Sequence, residues 1–355
     1  MNPYQDLPPQ QFWRTQISTP GLSEIDYDAG RKFTFDISAD RFATAGSCFS
    51  QHFGRELARR GGRLVTTETR HPLVRPVPND GYDLFSARYG NIYTTLQLEQ
   101  LIDRAYGRFA PVEDIWVGSD GKSVVDPFRP TIQPGGFASE AEMRADRAQH
   151  LGHVREALET LDLMVFTLGL TEGWRSKIDG AAFPLCPGVA GGVFDPALHE
   201  FHNARTGEVR SQIGAFVERL RAINPRARLI LTVSPVPLAA SASGNHVLPA
   251  TIYSKSALRA AAQEAAEDLE DVFYFPSYEI VTGPQARGRF FAEDLREVTE
   301  EGVEHVMRVF LRHAAGLEAP APGLTAAESD EGFTESVANW VETMCDEAML
   351  DGEDA

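Results

Sequence analysis

The chain has 355 residues, which at ~150 residues per domain allows two domains or one large α/β domain with insertions. Its 43% hydrophobic content is enough for a sizeable core. A formal net charge of −18 at pH 7 gives a surface that repels phosphate backbones, so nucleic acid is not an expected partner.

The first 30 residues are proline-rich and irregular. Their opening, MNPYQDLPPQQFWR, has neither the basic region nor the apolar core of a signal peptide. No later run approaches the ~18 apolar residues of a membrane span. The expectation is a cytoplasmic protein that makes no membrane contact. Residues 31–315 then alternate strand-like and helix-like patterns. Phe42 to Gly46 reads as a strand. Ser47 or Cys48 to Arg60 reads as a helix, with Phe49, Phe53 and Leu57 at four-residue spacing and Gly61-Gly62 as its stop. Thr94 to Ala105 is a second helix. Residues 114–125 read as a hairpin turning at Asp120-Gly121.

Ser139 to Leu161 is a long polar helix opening on Ser-Glu-Ala-Glu, a capping-box pattern. Its histidines, His150 and His153, are expected to face solvent. LMVFTL (163–168) and RLILTV (228–233) are buried-strand runs, separated by a helix over Thr206–Ile223. Ser254 to Leu269 is helical, Val272 to Phe275 a strand, and Thr299 to His313 a helix. From Gly316 the composition changes to an acidic, Ala/Pro-rich linker. Beyond it Phe333, Val337, Trp340, Val341, Met344 and Ala348 sit at helical spacing, and this tail helix is expected to dock on its own domain or, less favourably, on a protein partner.

Strands apolar on both faces, alternating with helices, argue for a parallel sheet covered on both sides. Ligands of such sheets bind at the carboxyl ends of the strands. Here those ends read GSC, TLGLTEGW, TVSPVPL and YFPSYE. In the first, Gly46-Ser47 sits at a strand-to-helix corner. A serine there is either a helix cap or a nucleophile beside unpaired backbone N–H groups that can hold a developing oxyanion.

Gly46-Ser47-Cys48-Phe49 resembles the signature of the GSCFA domain family, related to the SGNH/GDSL hydrolases. The likeness continues in GNIYT (90–94), TLGLTEGW (167–174), PLCPG (184–188), TVSPVPL (232–238), Ser254-Lys255-Ser256 with Leu258-Arg259, and FPSYE (275–279), in the family's order over residues 30 to 315. The resemblance implies a three-layer α/β/α sandwich with a mainly parallel sheet, an insertion at 61–160, and ester chemistry on O-acyl groups of carbohydrates. Carried over by position, it makes Ser47 the nucleophile and Gly90 and Asn91 an oxyanion loop acting with the Ser47 N–H. Gly169, Thr171 and Glu172 occupy a further oxyanion block, with Thr171 where the family's relatives carry asparagine.

The Asp-x-x-His block falls at FFAEDLRE (290–297). Asp294 matches the acid, and Glu297 stands where the histidine should be. A base works best with a pKa near the working pH, which an imidazole at ~6.5 meets and a carboxylate at ~4.3 does not. Three readings stay open: Glu297 is buried and raised in pKa, another histidine has moved in, or the chain has lost hydrolysis and kept a binding cleft. Of the nine histidines, His246 is placed best, on the loop after Ser-Pro-Val-Pro, ahead of His305 and His202.

Cys48 at a helix start is an alternative nucleophile or a small buried apolar group. Lys255 and Arg259, spaced i, i+4, are substrate-binding cations or a solvated, salt-bridged face. Tyr278-Glu279 is placed at the pocket wall. His199 and His202 lack a third ligand at useful spacing for zinc. With three scattered cysteines and no GxGxxG or Walker A motif, neither a disulfide framework, a metal nor any other cofactor is expected. The function expected is a serine ester hydrolase or O-acyltransferase acting on an acylated carbohydrate or similar small ester. The alternative is an inactive binding protein.

Overall fold

In LMVFTL every side chain is buried, yet neighbours in the run belong to different cores. Met164, Phe166 and Leu168 face one, and Leu163 and Val165 face the other. The same alternation sends Ala43 and Ala45 one way and Phe42 the other, and splits Leu229, Leu231 and Val233 from Ile230. A strand has a side-chain period of two, so this pattern requires an apolar layer on each side of the sheet.

The structure is a computed structural model that describes residues 2–25, 27, 33–73, 77, 80–82 and 84–313. In chain order its main elements are β1 (Arg41–Gly46), α1 (Ser50–Arg59), β2 (Arg63–Leu64), α2 (Thr95–Ala105), β3 (Trp116–Val117), β4 (Val124–Val125) and α3 (Glu140–Thr160). There follow β5 (Leu163–Leu168), β6 (Glu172–Ser176), β7 (Ala182–Phe183), β8 (His199–Asn203), α4 (Thr206–Ile223), β9 (Arg228–Val233), α5 (Val247–Asp268), β10 (Val272–Phe275), α6 (Ser277–Thr282) and α7 (Glu300–Leu311). The central sheet has five strands in the order β10-β9-β5-β1-β2, all parallel. Apolar residues of α2, α3, α4 and α5 cover one face, and those of α1, α6 and α7 cover the other. This is the three-layer α/β/α sandwich expected. After β1 the chain adds β2 on one side and then crosses to build β5, β9 and β10 on the other. The reversal opens a crevice at the carboxyl ends of β1 and β5, where such sheets bind ligands.

The expected helices and strands appear within a few residues of their expected bounds, with Thr94, Ser139 and Thr299 capping α2, α3 and α7 through their side chains. Three features differ. The helix expected from Ser254 begins at Val247. Pro249 lies in its first turn, where a missing N–H breaks no helical bond. A second, antiparallel sheet, β7-β6-β8, follows β5. Its strands, such as HEFHN, are too polar and short to show apolar alternation.

The third difference is His150, which is 2% exposed rather than solvent-facing. The polar face of α3 packs on the 61–138 segment through ions. Asp126 binds Arg129 at 3.0 Å and Arg147 at 2.8 Å, Asp146 binds Arg129 at 2.6 Å and Arg88 at 3.0 Å, and His150 Nδ1 meets Glu68 at 2.7 Å. Burial works against the Asp126 carboxylate, but Arg129 and Arg147 hold its pKa well below the ordinary range. The tail expected to carry a helix lies outside the described residues.

Burial, reinforced by Arg129, lowers the His150 pKa from 6.5 to about 4. An unfolded chain therefore binds a proton there at pH values where the folded chain does not. The stabilisation is complete above pH 6.5 and is lost as pH falls from 6.5 towards 4. The expected result is an unfolding free energy in urea that drops between pH 7 and pH 5, with roughly 2 kcal/mol of the fall due to His150. In His150→Gln that part of the slope disappears; an unchanged slope would contradict the assignment.

Candidate active site

The last residue of β1, Gly46, has φ +133, and a Cβ there would sit 2.3 Å from the carbonyl oxygen of Thr167 on β5. Only glycine lets β1 and β5 run this close at their ends. The next residue continues the ladder, with Ser47 N–H donating to Thr167 O at 3.2 Å. From the other side, Ile92 N–H donates to Gly46 O at 2.9 Å. The strand-to-helix corner is thus stitched to β5 and to the 90–93 loop at once.

Ser47 does not cap α1, which has no side-chain cap. The turn is closed instead by Ser50, whose N–H donates to Ser47 O and whose hydroxyl donates to Ala45 O, both at 2.9 Å. Ser47 itself is only 4% exposed, and its Oγ has no hydrogen-bond partner. A buried polar atom left unpaired costs about 1–3 kcal/mol and calls for an explanation. Nothing in the folding of the corner requires this hydroxyl.

Ser47 lines a narrow cleft at the ends of β1, β5 and β9. Its other walls are Cys48, Tyr93, Gly169, Leu170, Ser234, Val236, Pro237, Leu238 and Lys255. Its cavity of about 10 Å³ has room for roughly one water molecule. Lys255, on α5, is 2% exposed and donates from Nζ to Gly169 O at 2.6 Å. Cys48 forms no disulfide.

Of the residues singled out from the sequence, the cleft gathers Ser47, Gly169 and Lys255, together with Cys48. Their roles differ in part from those expected. The Ser47 N–H, expected to hold an oxyanion, is engaged by Thr167 O because the parallel ladder runs one residue past β1. The Gly169 N–H donates to Tyr93 O at 3.1 Å, so this glycine contributes its carbonyl, as the anchor of Lys255. Gly90 takes a left-handed turn, φ +67, that brings the loop to Gly46. Asn91 lines a neighbouring cavity with Gln97, Arg104 and His150 instead of the Ser47 cleft. Thr171 donates its hydroxyl to Asn203 Oδ1 at 2.6 Å, tying β6 to β8. Burial raises the pKa of the Glu172 carboxylate, which accepts the Ser241 hydroxyl at 2.7 Å and pins that loop.

The expected acid and base residues lie elsewhere. Asp294 is exposed, and its carboxylate accepts the N–H groups of Arg296 and Glu297, both at 3.0 Å, within a surface turn. Glu297 is exposed on the same turn. His246 is exposed and caps α5 by accepting the Leu248 N–H at 3.2 Å. His305 stacks on Phe290 under α7, His202 meets Glu208 at 2.7 Å, and His199 meets Glu113 at 2.7 Å. Among the described residues no imidazole lines the cleft. Arg259 is paired with Glu279 and covers the Tyr274 ring, so it and Lys255 do not form the joint cationic face their spacing suggested. Tyr93 was not singled out from the sequence, whereas the Ser234–Pro237 run, read there as a rigid strand exit that shapes a pocket, does line the cleft. Lys255, by contrast, carried a signal of burial: Thr251, Leu258 and Ala262 lie on the same side of the helix and are all buried.

A model of the GSCFA family matches residues 41–310. The chain belongs to the GSCFA family. The matched span begins with β1 and ends within α7, so it contains every wall of the Ser47 cleft. No curated protein matches the chain. Among solved structures, an acetyl esterase mutant with a bound acetate ion is similar at 10% identity, covering 75% of this chain and 92% of its own, with a TM-score of 0.30. No helix among the described residues is long and apolar enough to cross a membrane.

If the Ser47 hydroxyl has no structural task, Ser47→Ala leaves the urea unfolding free energy within about 0.5 kcal/mol of the parent or raises it. A loss of about 1 kcal/mol or more, as for a removed cap, would assign it a structural role.

Proposed function

We propose that this GSCFA protein is a serine ester hydrolase or O-acyltransferase that acts on an acylated carbohydrate or similar small ester, with Ser47 as the nucleophile. The observation that carries the reading is the buried, unpaired Ser47 Oγ at the strand-to-helix corner of the topological switch point. Oγ bonds to the acyl carbon, the ester C–O bond breaks, and the alcohol leaves with a proton. Water or a sugar hydroxyl then takes the acyl group from Ser47 in the reverse sense. The oxygen that gains charge lies near the amino end of α1, where the helix dipole favours an anion. An acyl group exceeds the room for one water, so turnover requires the cleft to widen.

A second reading, a binding protein that has lost catalysis, is favoured by the exposed positions of Asp294 and Glu297. A fluorophosphonate probe separates the two. The hydrolase reading predicts covalent labelling of the folded protein that vanishes in Ser47→Ala and persists in Cys48→Ala. Folded protein that resists the probe across pH 6 to 10 would support the binding reading.

A further inference from the structure

We infer that Lys255 is the general base that takes the proton of Ser47. The assignment rests on Ser47 being the nucleophile and deepens that reading. Among the described residues the cleft walls offer few groups able to accept a proton. A phenol such as Tyr93 is a poor base in its neutral form. The Cys48 thiol neighbours Ser47 along the chain and competes with it as a nucleophile. Lys255 reaches the cleft from a different element, α5, with its stem buried and its Nζ fixed by Gly169 O at 2.6 Å. That carbonyl belongs to the residue directly after β5, and Ser47 directly follows β1, the neighbouring strand. Ser47 and Lys255 both line one small cavity.

A lysine works as a base only as the neutral amine, and lysines taken out of water give up their proton more readily than those in it. The neutral amine still has N–H groups, so it can keep its bond to Gly169 O. Ser47 Oγ is not hydrogen-bonded to Nζ in the resting cleft, and the cavity between the walls is one water in size. The proton therefore moves as Ser47 rotates toward Nζ or through a single bridging water, a contact that tightens when substrate binds. The ammonium so formed returns the proton to the departing alkoxide. In the second half the amine, neutral again, receives a proton from the incoming water or sugar hydroxyl and passes it to Ser47 Oγ. No proton or electron is left over, and no histidine or carboxylate is needed.

The test is the second-order rate of fluorophosphonate labelling of the full chain from pH 6 to 10, in the parent, Lys255→Met and Lys255→Arg. The parent rate is expected to rise with pH to a plateau as one group loses its proton. Lys255→Met, which keeps the volume of the stem, is expected to label at least ~100-fold more slowly and without that rise. Lys255→Arg keeps the charge and a donor for Gly169 O but stays protonated, so it is expected to be as slow as the methionine variant. This separates a base from a cation that only binds or packs. Circular dichroism melts confirm that each variant is folded; if Lys255→Met is not, the arginine variant carries the comparison. Parent-like rates and pH profile in a folded variant overturn the role of Lys255 and leave Ser47 as nucleophile. A parent protein that takes up no label at all overturns both.

Discussion

The close approach of β1 to β5 at Gly46 and Thr167 sets the rest of the architecture of the cleft. A side chain at position 46 would collide with the Thr167 carbonyl, so glycine is required. Because the strands meet there, the ladder extends to Ser47, and the chain must turn at that residue to enter α1. The turn is held by Ser50 and by the 90–93 loop. The Ser47 hydroxyl is thereby fixed at the end of the sheet without taking part in any bond that fixes it. Function-bearing polar groups are often placed this way: the scaffold satisfies its own backbone and leaves one atom unspent.

The same economy shows in the helices around the cleft. α5 contributes Lys255 from its buried face, and Ser254 beside it receives the Thr171 N–H at 2.9 Å. The end of β5 is thus anchored to α5 at Gly169 through Lys255 and at Thr171 through Ser254. A cation on a buried helical face is costly unless it has partners or a task. Here the Gly169 carbonyl is a partner, and proton transfer in the cleft is the task we infer. By contrast, the buried polar groups at α3 are matched among themselves: arginines meet Asp126 and Asp146, and the neutral His150 meets Glu68. Those groups lock the 61–138 segment onto the domain, and their energetic signature is sensitivity to acid.

Much of the scaffold was legible before the structure. Runs such as LMVFTL and RLILTV carry burial on both faces in their composition, and the helices between them carry caps and periodicity. Ser47 was legible as well, because the strand, glycine and helix start are contiguous in sequence. What lay beyond reading was whatever depends on how distant segments meet. The Asp294–Glu297 block looks acidic and well placed along the chain, but only the three-dimensional path shows it to be a solvent-facing turn. α3 looks solvent-exposed because its charges are visible and their partners, tens of residues away, are not. Lys255 looked like half of a surface i, i+4 pair with Arg259. The apolar residues on its own side of α5 indicated burial, but its meeting with Gly169 is a long-range contact that no local pattern encodes.

The central claim is that chemistry at this cleft passes through the Ser47 oxygen. The most direct measurement is mass-spectrometric mapping of the protein after brief exposure to p-nitrophenyl acetate and an acid quench. The account predicts a single hydroxylamine-sensitive acetyl group on the peptide containing Ser47, absent in Ser47→Ala. An unmodified Ser47 peptide, or acetyl found only on Cys48 or on lysines, would contradict it.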